Sequence, residues 1–277
     1  MNYDNFKTLH VRTDKGVAFV TLSHGELNLL DMDMLLDLDR LSRTIEQDEA
    51  IKVMVLQSAN PDFFIAHADL NSVSALPEDP PPREETLGWI NQTFDRFRTM
   101  PKVSIAKIEG RARGGGSELA LACDMRFAAL GKAVFAQPEV GIGIIPGAGG
   151  TVRLPRLIGQ ARALEIILGC GDISAEEAER YGYVNRALPA GEIDAFVRML
   201  AYRIASYPAE ALTLAKASVR FEGSVEDGLN REEVSFLKAV HNPAATRRMA
   251  AALSMGLQTP AGEKGALADL WGALVGV

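Results

Sequence analysis

The sequence predicts an α/β protein built on a largely parallel sheet and finished by a helical C-terminal segment. Three observations carry that expectation. Short β-rich runs at residues 17–22, 53–57 and 103–108 alternate with stretches of helical spacing, the pattern of β-α-β units. The chain has 277 residues, 47% of them hydrophobic and 23% charged, values of a globular protein with one large domain or two modest ones. After about residue 190 the composition turns to Ala, Glu, Arg and Leu, with helical periodicity almost to the end.

The elements follow in order. Residues 29–45 place Leu35, Leu38, Leu41 and Ile45 near a spacing of 3.6, one face of a helix. The run Pro-Glu-Asp-Pro-Pro-Pro at 77–82 reads as a loop. A helix after it shows Ile90, Phe94 and Phe97 on one face. Glycines then cluster twice, first at Gly110, Gly114, Gly115 and Gly116, then at Gly141, Gly143, Gly147, Gly149 and Gly150. Apolar stripes (Leu212, Ala215, Val219, and Val234, Leu237, Val240) mark two late helices, at 209–221 and 225–240. The division expected is a sheet-containing core over 1–200 and a helical segment over 201–277, whose stripes are suited to a subunit interface.

Composition excludes several classes. With 29 basic against 36 acidic side chains, the net charge of −7 gives no nucleic-acid footprint. Two cysteines, Cys123 and Cys170, build no disulfide framework, so a reducing compartment, the cytoplasm, is expected. No run approaches the roughly 18 apolar residues of a membrane span, and the first residues carry charge where a signal peptide is apolar. No membrane partner and no metal site is expected.

Neither glycine cluster is a familiar phosphate or nucleophile motif. The dinucleotide fingerprint is incomplete in both, and Pro146 stands where the second cluster would need its third glycine. Gly147-Ala-Gly-Gly-Thr151 lacks a P-loop lysine, and Ser117 is followed two residues on by Leu119, which no nucleophile elbow allows. The stretch from Ile108 to Asp124 reads as a strand end, a glycine turn and a helix beginning near Ser117. Free N–H groups beside a helix N-terminus suit a developing anion, and Glu118 stands next to them. The same pattern also suits a plain tight turn with a solvated, capping glutamate.

Residues 103–155 resemble the enoyl-CoA hydratase/isomerase family, the crotonase fold, a spiral of ββα units. The first signature is the glycine-rich stretch around Gly114 and Glu118. The second is Phe135-Ala-Gln-Pro-Glu-Val-Gly-Ile-Gly-Ile-Ile-Pro-Gly-Ala-Gly-Gly-Thr-Val-Arg-Leu154, and a weaker third is Phe64-Ile-Ala-His-Ala-Asp-Leu70. The resemblance implies an acyl-CoA thioester as substrate, with coenzyme A arriving as part of it and no tightly bound cofactor. It implies backbone N–H donors from Ala68 and Gly115 for the enolate oxygen, with Ala66, His67, Asp69, Leu70 and Gly114 lining the substrate. It implies that Glu118 deprotonates the water attacking the β-carbon and that Glu139 exchanges the α-proton. Glu139 also suits a capping role in a Pro-Glu turn. Retention of both carboxylates favours hydration of a 2-enoyl-CoA. The alternatives are an isomerase or another acyl-CoA enolate enzyme of the fold, and a non-catalytic acyl-CoA-binding paralogue. Assembly as a homotrimer, or a hexamer of two trimers, is implied as well.

The sequence departs from the family at three places. His67 stands where glycine is usual, which fits a tolerated substitution, a working pocket residue or altered CoA binding. Asn28 is kept without its usual upstream proline. The C-terminal stretch 244–257 lacks the family's basic, aromatic ending, so contacts from there to the nucleotide are not expected from the pattern.

Overall fold

The structure, a computed structural model, describes residues 1–76, 87–260 and 263–275. Strand β1 (Leu9–Asp14) turns back through Lys15 and Gly16, both at positive φ, into β2 (Val17–Leu22). Side chains alternate across a strand, and in β2 both faces are apolar: Ala18, Val20 and Leu22 enter one buried cluster, Val17 and Phe19 another. A strand buried on both sides needs cover on both sides. Helix α1 (Met32–Gln47) gives it on one face with Met34, Leu38, Leu41 and Ile45. It starts later than the periodicity suggests, because Asp31 caps it by accepting the Met34 N–H and Leu30 is drawn off into a bridge with Ala68.

Three times a strand of a large sheet is followed by one of a small sheet and then by helix. Strand β3 (Val53–Ser58) leads to β4 (Phe63–Ile65) and α2 (Leu70–Ser74), with α3 (Trp89–Thr99) beyond. Strand β5 (Val103–Ile108) leads to β6 (Arg111–Arg113) and α4 (Gly115–Ala122). Strand β7 (Met125–Ala129) leads to β8 (Val134–Ala136), a 3-10 turn (Glu139–Ile142) and α5 (Gly150–Ile158). This is the expected spiral of ββα units. Helix α6 (Gln160–Gly169), β9 (Ile173–Ser174), α7 (Ala175–Tyr181) and β10 (Arg186–Leu188) complete the layers. The large sheet runs β1-β2-β3-β5-β7-β10, parallel except for β1 with β2; the small one runs β4-β6-β8-β9, parallel except for β8 with β9.

Helix α8 (Ile193–Ala205) crosses residue 200 and covers the outer face of the large sheet with Ile193, Val197, Ala201 and Ala205. Beyond it lie α9 (Ala209–Val219), α10 (Val225–Val240), α11 (Pro243–Ser254) and α12 (Leu267–Ala273). Neither α9 nor α10 has a buried residue; Val219 is 86% exposed and Val234 67%. The proline run at 77–82 lies outside the described residues.

Candidate active site

The small sheet sets the site. Its first three strands lie parallel in the order β4-β6-β8 and end at Ile65, Arg113 and Ala136, so the segments that follow emerge from one edge. Those segments are Ala66-His67-Ala68, Gly114-Gly115 and Gln137-Pro138-Glu139. All three signatures are therefore neighbours in space.

The first segment is held from behind by residues 27–30. Ala66 donates to the Leu27 carbonyl (3.1 Å), Leu30 to the His67 carbonyl (3.0 Å) and Asp69 to the Leu30 carbonyl (3.0 Å). Asn28, fully buried and at φ 49°, pins both ends: its Oδ1 accepts the His24 N–H, and its Nδ2 donates to Ser58 Oγ and to the carbonyls of Phe63 and Phe64. That geometry gives the conserved-looking Asn a structural task.

The glycine turn follows two different rules. Gly114 sits at φ 49° and ψ −124°, a conformation that L side chains avoid. Gly115 and Gly116 are helical and are glycine because neighbours come close. A Cβ on Gly115 would stand 2.6 Å from Leu30 Cδ2, and one on Gly116 would stand 2.6 Å from both Ile65 Cβ and the Ile65 carbonyl oxygen. The helix thus begins at Gly115, two residues before Ser117. The Cβ position of Gly115 lies 3.9 Å from the Ala68 nitrogen, so the two amides are close together. Neither N–H has a hydrogen-bond partner among the described residues. Two neighbouring free donors can take up charge that develops on a carbonyl oxygen.

Glu118 is buried on α4, and its Oε1 accepts the N–H groups of Ala148 and Gly150, each at 2.8 Å. Burial raises its pKa; the two amides and the Arg153 charge oppose that rise. Glu139, on the 3-10 turn, is raised to about 7, chiefly by burial and further by the Glu118 charge. Gln137, wholly buried, stands beside it. With its amide oxygen accepting from Ser117 Oγ (2.9 Å), its nitrogen donates to both Glu139 oxygens, at 3.1 and 3.3 Å. Ser117 Oγ in turn bonds the buried Tyr183 hydroxyl, whose pKa burial pushes up, so it stays a donor. Two carboxylates in unlike surroundings can hold a proton on one and a charge on the other.

Of the other expected residues, Ala66 is buried and His67 half-buried. The imidazole Nδ1 of His67 bonds the Ala68 carbonyl oxygen at 2.8 Å, and its backbone lies outside the left-handed region. A side chain at position 67 therefore carries no left-handed backbone strain. Asp69 caps α2: its Oδ2 accepts from the Ser72 N–H and Oγ, and these bonds hold its pKa down. Leu70 is 48% exposed. Sequence reasoning missed the Ala148 and Gly150 amides and the Gln137-Ser117-Tyr183 chain. The Gln of Gln-Pro-Glu was a visible signal; Tyr183 had none. Among the described residues no His, Cys, Asp or Glu group could hold a metal, and no helix is long and apolar enough to cross a membrane.

The sequence pattern of the enoyl-CoA hydratase/isomerase family matches residues 12–248. The chain belongs to that family. It is 36% identical over 204 residues to the short-chain-enoyl-CoA hydratase of Clostridium acetobutylicum, covering 73% of this chain and 77% of that one. It is 37% identical over 201 residues to the crotonyl-CoA hydratase of Syntrophomonas wolfei, covering 73% and 76%. Among solved structures, the enoyl-CoA hydratase of Bacillus anthracis superposes with a TM-score of 0.83 at 32% identity, covering 90% of this chain and 97% of that chain. The fold is therefore that of the crotonases.

Proposed function

We propose that the protein is an enoyl-CoA hydratase, adding water across the 2,3 double bond of an enoyl-CoA thioester. The observation that carries this reading is the pair of buried carboxylates, Glu118 and Glu139, beside the free amides of Ala68 and Gly115. The thioester oxygen accepts from those two amides. Glu118, aimed by the Ala148 and Gly150 N–H groups, takes a proton from the water that attacks the β-carbon. Glu139 gives its proton to the α-carbon as the enolate collapses. Each donor on the oxygen lowers the barrier because it is in place before the charge appears. The test is loss of absorbance of the conjugated thioester across 2-enoyl-CoA esters of rising chain length. Binding without turnover of any ester would instead make the chain a silent acyl-CoA-binding paralogue. The isomerase reading needs Glu139 alone and leaves the held Glu118 without a catalytic task.

The same reading extends to assembly and setting. Of the expected segment 201–277, the part beyond α8 supplies the oligomerisation surface, whose exposed Val219, Val225, Val234 and Phe236 are covered in a homotrimer or a pair of trimers. Coenzyme A enters as part of the substrate. Two free cysteines fit the cytoplasm.

A further inference from the structure

His67 departs from the family pattern, and its surroundings give that departure a use. In the parallel bridge between Leu30 and Ala68, the His67 carbonyl and the Asp69 N–H both face Leu30. The N–H and C=O of the intervening Ala68 therefore point the opposite way, along the open edge of the segment. The His67 ring is tied by Nδ1 to that same Ala68 carbonyl. It consequently lies along the edge that presents the Ala68 N–H. The base of the side chain also stands on the Glu139 side: the point where a Cβ on Gly114 would stand is 3.8 Å from His67 Cβ and 2.8 Å from Glu139 Oε1. The ring is anchored in place, because leaving would break its bond to Ala68.

We propose that His67 is a specificity-determining residue of this site, its imidazole a fixed wall that excludes acyl groups carrying a substituent on the α-carbon. This rests on the hydratase reading above. If the thioester oxygen lies on Ala68 and Gly115 and the α-carbon faces Glu139, then the His67 side chain, with its Cβ beside Gly114 and its Nδ1 on the Ala68 carbonyl, borders the space next to that carbon. A glycine at position 67 would leave that space open. A methyl group meeting a close-packed wall is discriminated by roughly 10–200-fold, the usual worth of one carbon in a fitted pocket.

The experiment compares but-2-enoyl-CoA with 2-methylbut-2-enoyl-CoA in the wild type, His67→Gly and His67→Ala. The expected result is a strong wild-type preference, in kcat/KM, for the unbranched ester. In both variants that preference shrinks by about 10-fold or more, chiefly through the branched ester. His67→Ala keeps a restrained backbone, so a gain of chain freedom in the glycine variant does not confuse the outcome. Calorimetric binding of the saturated pair, butanoyl-CoA and 2-methylbutanoyl-CoA, reads the same wall without chemistry. If the wild type hydrates nothing, the hydratase reading fails while the binding ratio still tests the wall. A ratio unchanged in both variants overturns the proposal, as does a wild type that takes both esters equally.

Discussion

Oε1 of Glu139 lies 2.8 Å from the point where a Cβ on Gly114 would stand. The two family signatures meet at that point, and the absence of a side chain on one makes room for the carboxylate of the other. Gly114→Ala would force an alanine into a positive-φ, extended-ψ conformation that is nearly glycine-only, costing about 1–3 kcal/mol, and would push Glu139 aside. A lower melting temperature together with a large loss of hydration is expected. Normal turnover in that variant would show that Glu139 needs no such fit.

Glu118→Gln and Glu139→Gln should each depress hydration by roughly 10²–10⁴-fold, the usual contribution of a placed acid or base. Glutamine keeps the volume, and its oxygen can still accept the Ala148 and Gly150 N–H groups, so the Glu118 variant should fold and bind acyl-CoA. Calorimetry beside the absorbance assay checks both halves. Near wild-type hydration in Glu118→Gln would remove the hydratase assignment and leave Glu139 as sole proton carrier.

On the proposed mechanism hydration requires Glu139 protonated, and burial lifts its carboxyl to about 7. In the hydration direction, kcat/KM should therefore fall as pH rises through that value, and the fall should vanish from the residual activity of Glu139→Gln. Stability follows the same group. Its folded pKa lies above the ordinary 4.5, so the native state holds the proton more tightly. The resulting stabilisation is complete below the ordinary value and is lost as pH rises through about 7. Relative to wild type, Glu139→Gln should melt higher at about pH 8 than at about pH 5. Scanning calorimetry at the two conditions decides this.

Ser117 Oγ bonds both Tyr183 and Gln137, so removing it orphans two buried groups. Ser117→Ala should cost about 1–3 kcal/mol for each of the two groups left unpaired. Tyr183→Phe removes only one end of the chain and leaves the Ser117-Gln137 bond, so its melting temperature should fall less. Equal falls in the two variants would contradict the assigned order of the chain.

Light scattering at low micromolar concentration tests the assembly. A mass of three or six chains is expected from the uncovered faces of α9 and α10. A single-chain mass that persists as concentration rises rejects it. Removal of residues 206–277 should leave insoluble or monomeric material.

Much of this architecture was legible in the residues. The runs at 17–22 and 103–108 are strands with those same bounds, because β-branched residues in short blocks suit a sheet buried on both faces. The carboxylates and the glycine turn were legible because they lie in continuous signatures. The helix start at Gly115 was not, because what keeps side chains off Gly115 and Gly116 is Leu30 and Ile65 respectively, far away in the chain. Tyr183 was hidden for the same reason: its partner lies 66 residues earlier.

The carboxylate of Glu118 also occupies the N-terminal end of α5, whose first residue, Gly150, is one of its two donors. One group thus secures a helix and, on the proposed mechanism, serves a reaction. Selection on folding alone would keep an acceptor at this position after any selection on turnover had ceased. Descendants of this protein that abandon hydration should accordingly be found with glutamine at 118 before alanine, and a retained glutamate there records ancestry of the fold as much as current catalysis.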